Sequence, residues 1–406
     1  MTKRNLELRK ESSFNPFRFF TNPVFWLSLI VLQVVIILFS RFFSESASFL
    51  LVGSDYIHYL AAARLVRDGM GDLIYNIEVN YEAQRMVLGP NSPISILTFR
   101  SLPFVSLIFL PFTFFPAITS FRIFGLINIL LIFLIIYLFI KYISKKNVQT
   151  LYLLVISFTF VPILETLKNG QVSIILTAIL FGIYITFRKK KYLLAGLLVS
   201  LMLLKTQFII FFPYLFILCS QRKKFLLGFV TGLVGLFLLS SAVSGFNFWL
   251  SYPKHLLETE GPEYGSRTNE LFTFYALFQN LGVWQKLSAL LTGAFYIFTL
   301  ILFNKKQKEV GFNNSFISFV LLSIPLSIHV LLHDLTFLLL PLFVISSSLS
   351  QSLARKRILL KTFFILAVLF VLPILSLKVS PNYLLLIIFG LGLYFLYNKL
   401  PKINSV

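Results

Sequence analysis

FRIFGLINILLIFLIIYLFIKYISKK, Phe121–Lys146, decides the fold. Its first part is an apolar run of about 20 residues, the length a helix needs to cross the hydrocarbon core of a bilayer. Lys141, Lys145 and Lys146 close it. Runs of the same kind recur along the chain, near 23–40, 148–166, 172–187, 192–205, 207–219, 225–243, 284–304, 314–331, 333–350, 360–378 and 382–398. In lipid every backbone polar group must be satisfied internally, so such a chain crosses as helices. The composition agrees: 57% hydrophobic, 17% aromatic and 13% charged, against about 25% charged in soluble domains. The expected fold class is all-α and polytopic, with about twelve transmembrane helices in one domain spanning 1–406.

The net charge of +21 would point to nucleic acid in a soluble protein. Here the basic residues stand in short clusters between apolar runs: Lys3/Arg4/Arg9/Lys10/Arg18, Lys141/Lys145/Lys146, Arg188–Lys191, Arg222–Lys224, Lys305/Lys306/Lys308, Arg355–Arg357 with Lys361, and Lys399/Lys402. They hold two thirds of the 36 Lys and Arg, whereas of the 15 acids only Glu7, Glu11 and Glu309 fall beside them. That is the positive-inside pattern of a plasma-membrane protein, not a nucleic-acid face. It predicts both termini in the cytoplasm and long external loops at 42–100 and 244–282. The basic stretch before 23–40 is long, and Arg41-Phe42-Phe43 follows it, so this run reads as an uncleaved first span rather than a signal peptide. Ser101–Pro116 is apolar but broken by Pro103 and Pro111. If it crossed, every later basic cluster would change sides, so it reads as a re-entrant or interfacial segment. The first external loop reads as carrying amphipathic helices on the outer face.

With this topology the polar residues beside the spans gather on the outer side. SDYIHYLAAARLVRDGMGDLIY (Ser54–Tyr75) supplies Asp55, Tyr56, His58 and Tyr59. Arg100 precedes the proline-broken run, ETLKNGQ supplies Lys168, Asn169 and Gln171, LLKTQF supplies Lys205, and SIHVLLHDL supplies His329, His333 and Asp334. Ionisable groups beside membrane segments are costly and commonly face a cavity or pathway. Each has a plainer reading. Asp55 suits the N-cap of a helix over 56–68, Lys205 suits a snorkelling lysine, and Asn169-Gly170 suits a tight turn. His329 could bond a neighbouring carbonyl, and Asp334 could cap the following helix. Their coincidence at one depth favours a site. A carboxylate there can take a proton from a hydroxyl, and the cations can neutralise a phosphate leaving group. A site facing outward has no cytosolic nucleotide sugar, so its natural donor is a sugar on polyprenyl phosphate. P-loop, GxGxxG, HExxH and cysteine-cluster motifs are missing from the sequence, so no cofactor or metal is expected. The single cysteine, Cys219, forms no intrachain disulfide.

In these motifs the chain resembles glycosyltransferase family 87, membrane transferases of the GT-C architecture that use polyprenyl-phosphate sugars. The resemblance rests on Asp55-Tyr56, Tyr59, Ala61–Ala63, Gly69 and Ile74-Tyr75; on Leu102-Pro103 through Pro111; on Gly170-Gln171, Ala195-Gly196 and Lys205; and on Ser327-Ile328-His329, Asp334-Leu335 and Pro341. It runs over about residues 20–350. The family's Tyr-Pro-Pro is Ser101-Leu102-Pro103 here, and its proline after the serine is Ile328. The resemblance implies a GT-C fold and an inverting transfer, with mannose favoured over an arabinose-like pentose. Asp55 would be the catalytic base. Tyr56, His58, Tyr59, Arg100, Lys168, Asn169, Gln171, Lys205, His329, His333 and Asp334 would line the substrate. The partners implied are the lipid-linked donor, a lipid or glycan acceptor and membrane lipids. The rival readings are a transporter or flippase for lipid-linked glycans, which would call for inverted repeats, and an accessory subunit of polysaccharide synthesis.

Overall fold

The computed structural model describes residues 51, 54–89, 97–144, 150–260, 264, 267–349 and 356–398, all in the unit Glu45–Val406. The expected first span at 23–40, the terminal basic clusters and Lys145/Lys146 lie outside the described residues. Among the described residues the fold is all-helical, with no strand. Among those residues, three helices are long and apolar enough to cross a membrane: α4 (Ala117–Tyr142), α10 (Arg222–Ser244) and α13 (Gln285–Val310). The other expected spans are shorter or broken helices. They are α5 (Thr150–Thr159) with α6 (Val161–Asn169), α7 (Ser173–Arg188), α8 (Tyr192–Ser200), α9 (Phe211–Leu218), α14 (Phe312–Leu326), α15 (Leu339–Leu349), α16 (Lys356–Leu375) and α17 (Pro381–Tyr397). This is a membrane protein.

Two expectations for the first loop change. Helix α1 (Tyr56–Arg67) starts where the sequence places it, rich in helix-forming alanine and with Arg64 and Arg67 in its last turn. Nine of its twelve residues are buried, so it is an internal helix and not an amphipathic one lying on a surface. Helix α2 (Ile77–Leu88) is one-sided, but its buried face holds Asn80, Ala83 and Gln84. Gln84 donates to Asn80 Oδ1 at 2.9 Å and to the Leu97 carbonyl at 2.8 Å. The face it buries is polar, which suits protein and not lipid. The proline-broken run forms only α3 (Val105–Phe109) and a 3₁₀ turn, Leu110–Phe114. That is about 17 Å of helix, short of the roughly 30 Å hydrocarbon core. Phe109 stacks on Tyr59 at 4.6 Å and meets Tyr56 and Phe124. This aromatic cluster ties α1 to α3 and α4.

Helices α8 and α10 approach through small residues. A Cβ on Gly196 would run into the Phe225 carbonyl, one on Gly228 into the Leu193 carbonyl, and one on Gly232 into Ser200. Close backbone approach of this kind is how helices associate where no water drives them together.

Three interruptions of the helices create the site. Helix α6 ends at Gly170, in the left-handed region with φ +62°. The α8–α9 path passes through two 3₁₀ turns, Leu201–Leu204 and Thr206–Ile210, with Lys205 extended between them at φ −131°, ψ 107°. Helix α14 stops after Pro325, and the chain resumes as a 3₁₀ helix, Leu332–Leu338. Irregular backbone of this sort is tolerated at membrane depth where protein buries it or it lines a cavity. Residues of the basic clusters lie away from these breaks. Arg188 donates to the Ile143 carbonyl at 3.4 Å, Lys189 sits over the Tyr142 ring, and Lys306 sits over Tyr397. Helix α7 separates the two groups: Ser173 at its start joins the site and Arg188 at its end joins the basic residues, about 24 Å away.

Candidate active site

A cavity of about 870 Å³ opens where the three breaks meet. Asp55, His58, Tyr59, Arg100, Gln171, Lys205, His329 and His333 are among the residues that line it. Its lining also takes in Ile209, Ile210, Phe212 and Pro213 and one face of the membrane-length helix α13, Gln285, Ala289, Thr292, Gly293 and Tyr296. Those α13 positions recur at helical spacing, so one stripe of the helix forms a wall.

Asp55 occupies the N-cap position of α1, yet its side chain makes no cap hydrogen bond and its backbone is helical, φ −66°, ψ −19°. Capping therefore does not explain the residue. The carboxylate is left to face the cavity. Burial pushes its pKa above the ordinary value, against the pull of a hydrogen bond from Gln171 and of the Lys205 charge. A carboxylate with a raised pKa is a stronger base. Gln171 is held in turn by Tyr59, whose hydroxyl donates to Gln171 Oε1 at 3.2 Å. Gly170 makes this possible. Its left-handed backbone suits glycine, and a Cβ there would sit 2.6 Å from the Tyr56 Cβ.

Lys205 is the cationic centre. Its Nζ donates to Asp334 Oδ1 at 2.6 Å, to His333 Nε2 at 2.9 Å and to Ser173 Oγ at 3.3 Å. Asp334 is fully buried and also accepts from Ser173 Oγ at 2.9 Å and from the Leu331 amide at 3.2 Å. The bond from Leu331 satisfies the capping reading of Asp334. The rest show that its carboxylate is committed to holding Lys205. Arg100 pairs with Glu260, which lines the same cavity. His329 lines the same wall. Burial, and then the Lys205 and Arg100 charges, push the pKa of His58 down to about 3. Lys205 and Arg100 are the lysine and arginine of this wall.

Four sequence candidates do not line this cavity. Asp334 reaches it only through Lys205 and His333, and Tyr56 is fully buried, its hydroxyl bonded to Ser120. Lys168 is exposed and pairs with Glu165 at 3.4 Å, lining no part of this cavity. Asn169 donates to Glu165 at 3.3 Å and lines a second cavity of about 560 Å³ that shares Asp55, Leu331 and His333 with the first.

The model of glycosyltransferase family 87 matches residues 103–327, more than half of the chain. This chain belongs to glycosyltransferase family 87. It is therefore a glycosyltransferase. The matched stretch contains Gln171 and Lys205, while Asp55, His329, His333 and Asp334 fall outside it. No curated protein and no solved structure shows significant similarity.

Sequence reasoning missed Ser173, Glu260, Asn269, Glu270 and the 376–381 turn as wall or supporting residues. It also missed His255, 2% exposed, which shares a 3.2 Å hydrogen bond with Thr98 and joins helix α11 (Phe248–Glu258) to the strip beside Arg100. Burial, and then the Arg100 charge, lower its pKa to about 4, against about 6.5 when unfolded. The folded state therefore holds fewer protons than the unfolded state between pH 6.5 and 4. Stability is full above the unfolded value and is lost as pH falls through that window, by about 3 kcal/mol for this histidine at full titration. His58 acts in the same direction. The melting temperature of purified protein should fall from pH 7 to pH 4.5, and less steeply for His255→Gln. An equal slope in the variant would contradict this account.

Proposed function

We propose that this glycosyltransferase moves a sugar, mannose in the first instance, from a polyprenyl-phosphate donor to a lipid- or glycan-linked acceptor on the outer face of the plasma membrane, with inversion. One observation carries the reading. A carboxylate not used for capping, Asp55, and a buried lysine, Lys205, share the wall of a cavity that is also lined by Ile209, Ile210, Phe212 and one face of a membrane-length helix. The apolar side chains suit a prenyl chain, and Lys205 and Arg100 suit its phosphate.

Asp55 would take the proton of an acceptor hydroxyl as its oxygen attacks the anomeric carbon. The bond from that carbon to the phosphate oxygen then breaks, and polyprenyl phosphate departs with its new charge facing Lys205 and Arg100. Asp334 orients Lys205 and is a positioning residue. Gln171 orients Asp55. The requirement is for a base near the acceptor hydroxyl and cations near the leaving group, the arrangement expected of this chemistry.

The test is a donor panel. Purified protein in detergent is given polyprenyl-phosphate-mannose, polyprenyl-phosphate-arabinose or GDP-mannose with a membrane-lipid extract as acceptor, and released polyprenyl phosphate and glycosylated product are measured. Turnover of a polyprenyl-phosphate sugar is expected. Turnover of GDP-mannose alone would sink the proposal.

A further inference from the structure

The second cavity shares Asp55, Leu331 and His333 with the first and has neither Lys205 nor Arg100 in its lining. It is lined by Asp55, Glu165, Asn169, Asn269, Glu270, Lys378 and Ser380, among others, and at about 560 Å³ it falls within the range of small-ligand sites, roughly 300–1,000 Å³. Its wall is assembled from distant segments that are tied together. Asn382 at the start of α17 donates to the Thr268 carbonyl at 3.2 Å, and Thr268 donates to Asn280 Oδ1 at 2.6 Å. The 3₁₀ turn Thr268–Glu270 is thereby fixed between α17 and helix α12 (Phe274–Asn280).

We infer that this second cavity receives the acceptor's terminal sugar, that Asn269 and Glu270 bind its hydroxyls, and that the cavity selects an uncharged sugar. The inference rests on the proposed role of Asp55. An acceptor hydroxyl must reach that carboxylate from a side the donor does not fill, and this is the other cavity that Asp55 lines. The wall chemistry sets the class of acceptor. Amides and carboxylates bind neutral hydroxyls well, the carboxylates as paired acceptors. Among the described residues the wall carries three carboxylates, on Asp55, Glu165 and Glu270, against the one ammonium of Lys378. The cations that pair with Glu165 and Glu270, Lys168 and Arg267, stand 3.4 Å from their partners and are not on the wall. A uronate or phosphorylated sugar would bring like charge against these groups, whereas a neutral hexose would not.

The probes are octyl α-mannoside, which is neutral, and octyl glucuronide, a six-membered ring that bears a carboxylate, each with polyprenyl-phosphate-mannose as donor. Wild type should use the mannoside at least about ten-fold better in kcat/KM. Asn269→Ala and Glu270→Gln should raise the mannoside KM about ten-fold, the loss expected for a hydrogen bond to a charged or amide partner, with the donor KM unchanged. Glu165→Gln combined with Glu270→Gln should narrow the preference against the glucuronide. Asn269 and Glu270 are exposed, so these variants should keep the wild-type melting temperature. Equal use of the two glycosides, an unchanged mannoside KM, a raised donor KM, or donor hydrolysis without transfer to either glycoside would each overturn the inference while leaving the donor reading standing. If wild type releases no polyprenyl phosphate with any acceptor or with water, the donor reading itself fails and this inference with it.

Discussion

Asp55→Asn should lower kcat about 100- to 10,000-fold, the usual contribution of a general base, and leave the melting temperature where it is. Asparagine is nearly the same size and caps helices as well as aspartate does. A capping role would therefore predict a variant that is stable and active. The geometry already separates the two readings, since the Asp55 side chain makes no cap hydrogen bond. Turnover of polyprenyl-phosphate-mannose and thermal unfolding of the same preparations decide it. A folded variant keeping more than about a tenth of wild-type turnover would remove Asp55 from the role of base. Among the described residues no second acid stands ready to replace it in this cavity. Asp334 is taken up by Lys205, Ser173 and the Leu331 amide, and Glu260 pairs with Arg100.

Lys205→Ala should injure both stability and catalysis, and a second substitution should separate the two effects. Removing one partner of a buried ion pair leaves the other charge uncompensated and costs about 3–5 kcal/mol. Lys205 is 8% exposed and Asp334 is fully buried, so the melting temperature of the single variant should drop clearly. Adding Asp334→Asn removes the stranded charge and should recover much of that loss. Donor use should not recover, because the cation facing the leaving phosphate is still missing. The loss in donor kcat/KM should be about 100-fold or more in both variants, as for removal of one donor to a developing negative charge. Recovery of donor use in the double variant, or a defect confined to the acceptor KM, would show that Lys205 serves the fold and not the phosphate.

The sequence by itself determined that the chain is helical and apolar and where several of its helices lie. Apolar runs predicted at 121–140, 172–187 and 382–398 became Ala117–Tyr142, Ser173–Arg188 and Pro381–Tyr397. The number of residues needed to satisfy backbone bonds in an apolar medium is a local property, so it is written in consecutive residues. Gly170 and the start of α1 at Tyr56 were legible for the same reason, since turn and helix signals act over a few positions. Only the tertiary structure decided which way side chains face at the breaks. Tyr56 and Tyr59 lie one helical turn apart, yet one is packed against Ser120 and the other faces the cavity. Packing against α3 and α4 sets that choice, and no periodicity in α1 announces it. Lys205 and Asp334 are 129 positions apart and meet at 2.6 Å. The turns at 267–270 and 376–381 come together only because α17 packs back beside α12. Contacts of this range are chosen by the packing of whole helices, in which each residue contributes shape to a distant neighbour, and a single sequence carries no local mark of that neighbour.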